Sequence, residues 1–184
     1  MANFAPLNRE GCVLVVIDFQ EKLLPAIYDF TAVLDRAVKM VTAAHTMNVP
    51  VLFTQHYTPG LGQTHEALRK LQPEISCVEK NIFNSFGAPD FAAKLEALQA
   101  KTLVMLGIEA HICLMQTALG ALERGYDVHI LADASGSRKA ANKEIGLARL
   151  RQAGAIISAT ELTIYEWMVR SDSDDFRALR SLLK

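Results

Sequence analysis

CVLVVID, residues 12–18, runs apolar and largely β-branched until it stops at a carboxylate. A run that is apolar at every position, with no alternation, reads as a strand buried on both faces of a sheet. Four further stretches have the same character: VPVLFTQ (49–55), KTLVMLGI (101–108), YDVHILAD (126–133) and GAIISA (154–159). The segments between them have helical spacing. In TAVLDRAVKMVTAAHTM (31–47), Val33, Ala37, Met40, Val41 and Ala44 form one stripe, and FAAKLEALQA, ICLMQTALGALERG and NKEIGLARLRQAG behave alike. Strand and helix therefore alternate, which predicts an α/β fold with a mainly parallel sheet and helices on both faces.

Gly125 and Gly154 stand where a helix ends and the next strand begins, a place that favours a left-handed residue. The terminal SDSDDFRALRSLLK reads as a capped helix, acidic in its first turn and basic in its last. The stretch from about 55 to 90 is richer in Gly, Pro and polar residues and is expected to supply loops and short elements around a site.

Composition narrows the function. A chain of 184 residues, 51% hydrophobic, has room for one core and one domain, residues 1–184. A formal charge of -1 offers no basic field for a phosphate backbone or an anionic membrane, so neither nucleic acid nor membrane is expected as a partner. Cys12, Cys77 and Cys113 are odd in number and show no CxxC spacing, which fits neither a disulfide framework nor a zinc site and points to a reducing, cytoplasmic setting. The opening MANFAPLNREG lacks a leader pattern, and no uncharged stretch approaches the roughly 20 residues of a spanning helix.

Ligands of open α/β sheets bind beyond the carboxyl ends of the strands. That rule selects Asp18 and Gln20, then Gln55 and His56, then Glu109 to Cys113. Cys113 falls near the start of a helix, where free N–H groups and the helix dipole favour a thiolate; position alone favours the commoner reading of a free cysteine, a small buried hydrophobe. Asp18 would be desolvated, which raises a carboxyl pKa and suits proton transfer, or it orders a loop. Lys80 follows a short candidate strand, ISCVE, and taken alone is a surface charge. Together a thiol, a carboxylate and an ammonium are chemically sufficient for nucleophilic catalysis. Spacing alone does not bring them together.

The segments VLVVIDFQEKL, VLFTQHYTPGLG, EKNIFNSF, LVMLGIEAHICLMQTALGALERGYDVHILADASGSR and LRQAGAIISATELTIYE resemble, in order, those of isochorismatase-like cysteine hydrolases, nearest the isochorismatase-domain or YcaC-like branch. The resemblance implies a three-layer α/β/α, Rossmann-like sandwich. It implies catalytic roles for Asp18, Lys80 and Cys113, and a cis peptide between Ile108 and Glu109 that aims the backbone N–H groups of Glu109 and Cys113 at an oxyanion. The implied chemistry is hydrolysis of a small amide or related carbonyl compound through a Cys113 thioester, with Asp18 moving the protons and Lys80 holding it.

Two departures bear on the function. Metal-dependent nicotinamidases of this superfamily carry an Asp and two His after the second strand. Here TQHYTPGLGQTHE has His56 and His65 without the Asp, so they read as loop residues, and neither metal nor cofactor is expected. Isochorismatases proper cleave a vinyl ether without the cysteine, so Cys113 favours acyl chemistry, with ether hydrolysis by Asp18 or a non-catalytic scaffold as alternatives. Phe19, Gln20, Gln55 and Tyr57 are candidate ligand contacts, His45 and His129 candidate structural residues, and His111 a candidate for the exposed face of its helix. The resemblance also implies a homo-oligomer.

Overall fold

In the computed structural model, which describes residues 6–71 and 76–183, six parallel strands form one sheet in the order β3-β2-β1-β4-β5-β6. They are β1 (Cys12–Ile17), β2 (Val51–His56), β3 (Cys77–Lys80), β4 (Thr102–Gly107), β5 (Asp127–Leu131) and β6 (Ile156–Ser158). The five expected strands are all present. The sixth, β3, corrects the reading of ISCVE: Lys80 is its last residue, paired with His56, and does not follow it. Ile75 lies outside the described residues.

The helices are α1 (Phe30–Thr46), α2 (Thr58–Leu61), α3 (Glu66–Arg69), α4 (Pro89–Ala97), α5 (Met115–Glu123), α6 (Ala140–Gln152), α7 (Thr160–Met168) and α8 (Asp174–Leu179). α7 was not anticipated, because TELTIYEWM mixes β-branched and aromatic residues that are poor helix formers. Burial decides it: Ile164 and Trp167 pack beside α1.

Side-chain parity along the strands divides the interior into two cores. Leu14, Val16, Phe53, Val104 and Leu131 point to one layer, where α1, α7 and α8 cover them through Val33, Ala37, Met40, Ile164, Trp167 and Leu179. Val13, Val15, Ile17, Leu52, Met105 and Ile130 point to the other, beneath Phe91 and Leu95 of α4, Ala118 and Ala121 of α5 and Leu147 and Leu150 of α6. The three-layer sandwich follows. Because β1 lies between β2 and β4, the chain leaves it in opposite directions, and a crevice opens at the carboxyl ends of these strands.

Candidate active site

β1 ends in a left-handed residue, Asp18 (φ 57°), whose side chain is fully buried. Such a conformation costs a non-glycine residue about 1–2 kcal/mol, so its surroundings must hold it. The carboxylate is held at both oxygens: Oδ1 accepts from Thr54 Oγ1 at 2.7 Å and Oδ2 from Lys80 Nζ at 2.7 Å. Parity explains the match. Thr54 and His56 of β2 and Lys80 of β3 share the face of the sheet that carries Leu52 and Val78, and Ile17 pairs with Thr54 in register.

After β4 the chain turns at Glu109 (φ 52°) into a single π-helical turn, Ala110–Leu114, that leads directly into α5. The peptide bonds of the described residues are all trans, Ile108–Glu109 included, which corrects the expected cis bond; the left-handed Glu109 makes the turn instead. Gly107 and Gly146 allow the close packing. A Cβ on Gly107 would lie 2.9 Å from Ile17 Cβ, and one on Gly146 would lie 2.8 Å from His111 Cα.

The turn delivers Cys113 to the buried pair. Its sulfur, a carboxylate oxygen of Asp18 and a ring nitrogen of His56 lie within 4.8 Å of one another. The three residues singled out in the sequence therefore meet. The expectation of a dipole-stabilised thiolate is corrected: Cys113 is only 7% exposed, and burial, then the Asp18 carboxylate, push its thiol up to about 12, against the pull of Lys80. The resting sulfur is therefore protonated, and it needs a base at hand to become a nucleophile.

The cavity above these groups, about 180 Å³, is lined by Asp18, Leu23, His56, Leu61, Phe83, Glu109, Ile112, Cys113 and Arg138. None of Phe19, Gln20, Gln55 or Tyr57 lines it. Phe19 points into the α1 core, and Tyr57 is 54% exposed outside the cavity. Gln55 faces the opposite side of β2 from His56 and bonds Thr64 Oγ1 at 2.9 Å. The Gln20 amide is spent on backbone, accepting from His56 N at 2.7 Å and donating to the carbonyls of His56 and Gly62. Its role is to clamp the end of β2.

His56 is likewise not a loop residue but the end of β2, its ring stacked on Phe83 at 5.5 Å between centroids. Burial, then the Lys80 ammonium, hold it below the ordinary imidazole range, while Asp18 pulls the other way. His65 caps α3, its Nδ1 accepting from Ala67 N at 3.2 Å. Glu109 is buried and bound by Arg138 Nε. Its Oε2 lies 3.3 Å from His111 Nδ1, off hydrogen-bonding geometry, and that nitrogen faces Ser137 Oγ at 3.0 Å. His111 is thus half-buried against its neighbours and not on an open face.

Asp18, His56 and Cys113 are the one group among the described residues with metal-ligand spacing. They suit a cation poorly, because both Asp18 oxygens are engaged and the Lys80 ammonium is one of the partners. Thr54, Phe83 and Arg138 carried no local signal in the sequence; only strand register and loop closure bring them here.

A model of the isochorismatase domain family matches residues 12–161. The chain belongs to that family. Isochorismatase domain-containing protein 2 of Danio rerio is 33% identical over 100% of this chain and 92% of its own length. The structure described as MAR1 ribonuclease from Caenorhabditis elegans is 30% identical and superposes with a TM-score of 0.89, covering 99% of this chain and 92% of that one. Two YcaC structures share the fold. That of Pseudomonas aeruginosa, described with hexane-2,5-diol and covalent acrylamide, has 23% identity and a TM-score of 0.92 over 99% of this chain and 93% of its own. That of Escherichia coli, an octameric hydrolase of unknown specificity, has 22% identity and a TM-score of 0.93 over 99% and 91%. This isochorismatase-family chain thus has the α/β sandwich of its relatives, and among its described residues no helix is long and apolar enough to cross a membrane.

Proposed function

We propose that this isochorismatase-family protein is a cysteine hydrolase that cleaves a small amide, or a related carbonyl compound, through a thioester on Cys113. The observation that carries the proposal is the meeting of a buried thiol with a buried carboxylate whose position is fixed by Lys80 and Thr54.

In the proposed sequence Asp18 takes the thiol proton as sulfur attacks the carbonyl carbon. The negative charge moves to the carbonyl oxygen, which the backbone N–H of Cys113 stabilises. Asp18 then protonates the departing nitrogen, the C–N bond breaks and ammonia or an amine leaves. Water attacks the thioester and releases the acid. Lys80 stays charged throughout, holding Asp18 and favouring the forming thiolate.

The cavity supports a small substrate. Its volume is below the ~300–1,000 Å³ typical of sites for drug-sized ligands, and Leu23, Leu61, Phe83 and Ile112 give it apolar walls. The covalent acrylamide described for the Pseudomonas aeruginosa relative is consistent with a reactive nucleophile in that protein. The ribonuclease description of the Caenorhabditis elegans relative suggests RNA instead; a net charge of -1 and apolar walls disfavour a polyanion, and incubated RNA is expected to stay intact. We also infer self-association, supported by the octameric Escherichia coli relative and by exposed Leu162, Tyr165 and Val169 on and after α7. The free cysteines favour a reducing compartment.

The test is ammonia release from a panel of small amides by wild type and Cys113→Ala. Release that vanishes in the variant supports thioester chemistry. Equal release by both, or ether cleavage that survives in the variant, rejects it.

A further inference from the structure

We propose that His56 is the base that activates the hydrolytic water against the Cys113 thioester, a role that rests on the covalent reading above. Deacylation needs a base beside the sulfur and open to the cavity. Asp18 also lines the cavity, but it is fully buried and both its oxygens already accept hydrogen bonds, from Thr54 and Lys80. His56 answers both: it lines the cavity, is partly exposed, and places a ring nitrogen within 4.8 Å of the sulfur.

The ring is also held in place. Gln20 clamps the His56 backbone on both its N–H and its carbonyl, and Phe83 stacks on the imidazole with 16° between the planes. Its Nδ1 is buried without a hydrogen-bond partner among the described residues, while the Ile82 backbone and Asp18 favour the protonated ring. The groups facing it are Asp18 after β1, Lys80 at the end of β3 and Cys113 on the π-helical turn, with Glu109 and Arg138 also lining the cavity. Burial and the Lys80 ammonium, against Asp18 and the Ile82 backbone, lower its pKa from the ordinary imidazole range and favour the neutral form that can accept a proton.

The step balances as follows. The imidazole takes a proton from water while the water oxygen bonds to the thioester carbon. The tetrahedral intermediate collapses, the C–S bond breaks with its electron pair on sulfur, and the imidazolium returns the proton to Cys113. The acid departs and the thiol is restored.

p-Nitrophenyl acetate separates the two half-reactions: nitrophenolate absorbance counts acylation, and intact-protein mass counts acetyl enzyme. For His56→Gln, with His56→Asn as a second variant, the expected result is a stoichiometric burst followed by turnover at least ~100-fold slower than wild type. Acetyl groups should accumulate on the Cys113 peptide, and added imidazole should restore their loss. Wild-type deacylation should fall as pH drops through an ionisation below 6.5, a limb the variants lack. Variants that deacylate at the wild-type rate, with the wild-type limb, overturn the role of His56. Wild type that never carries acetyl on Cys113 overturns the covalent reading itself, and this inference with it.

Discussion

Lys80 and Asp18 are both buried, and removing one leaves the other charge unpaired in a poorly solvated site. Lys80→Met and Asp18→Asn are each expected to cost about 3–5 kcal/mol in urea denaturation, and Asp18→Asn to lose ammonia release. Negligible costs for both would mean that the charges are not coupled as described. The cysteines set a pH dependence. Burial is the first cause that raises Cys12 and Cys77 to about 11 and Cys113 to about 12, so the folded protein keeps protons that the unfolded chain loses near pH 8.5–9. Stability is then complete below that range and falls as pH rises toward 11–12. Tm should decline between pH 8.5 and 11, and less steeply in Cys113→Ala. At this scale the sequence showed which residue types mattered, because Asp18 directly follows one buried strand and Cys113 lies shortly after another. It did not show Thr54, and it read His56, though at a selected strand end, as a loop residue; the relevance of both comes from sharing a face of β2 with a partner set by register.

Among the elements, the π-helical turn decides where Cys113 sits. It is wedged between β4, α5 and α6, and Gly146 is where α6 comes closest. A methyl there meets His111 Cα at 2.8 Å, which is backbone and cannot rotate away. Gly146→Ala is expected to cost about 1–3 kcal/mol and to lower kcat more than the stability loss explains, because the sulfur moves with the turn. An alanine variant with unchanged kcat would show that the turn tolerates displacement. The helical stripe of residues 112–125 was legible, yet the widened first turn was not, since period alone does not distinguish an α turn from a π turn. The four proposed ligand contacts show the same limit. Phe19, Gln20, Gln55 and Tyr57 stand near the right strand ends, but alternation along β2 turns Gln55 away as it turns His56 inward, and loop closure engages Gln20.

For the whole molecule, sheet order is the organising fact. The fully apolar runs foretold a parallel sheet with two covered faces, and the two cores follow from strand parity. Which strands become neighbours is not written locally: β1 lies between β2 and β4, and only that order brings residues 18, 80 and 113 to one crevice. Light scattering in solution should give a mass that is a multiple of 20.2 kDa, and Val169→Asp, at a side chain 82% exposed in the single chain, should reduce it. A monomeric wild type would contradict self-association without touching the site. The most direct test of the central claim is mass spectrometry of enzyme quenched during turnover of whichever small amide is cleaved. The account predicts an acyl group on the peptide bearing Cys113, absent when Asp18 is replaced by Asn. An active enzyme whose Cys113 peptide stays unmodified, under quench conditions that preserve thioesters, would contradict it.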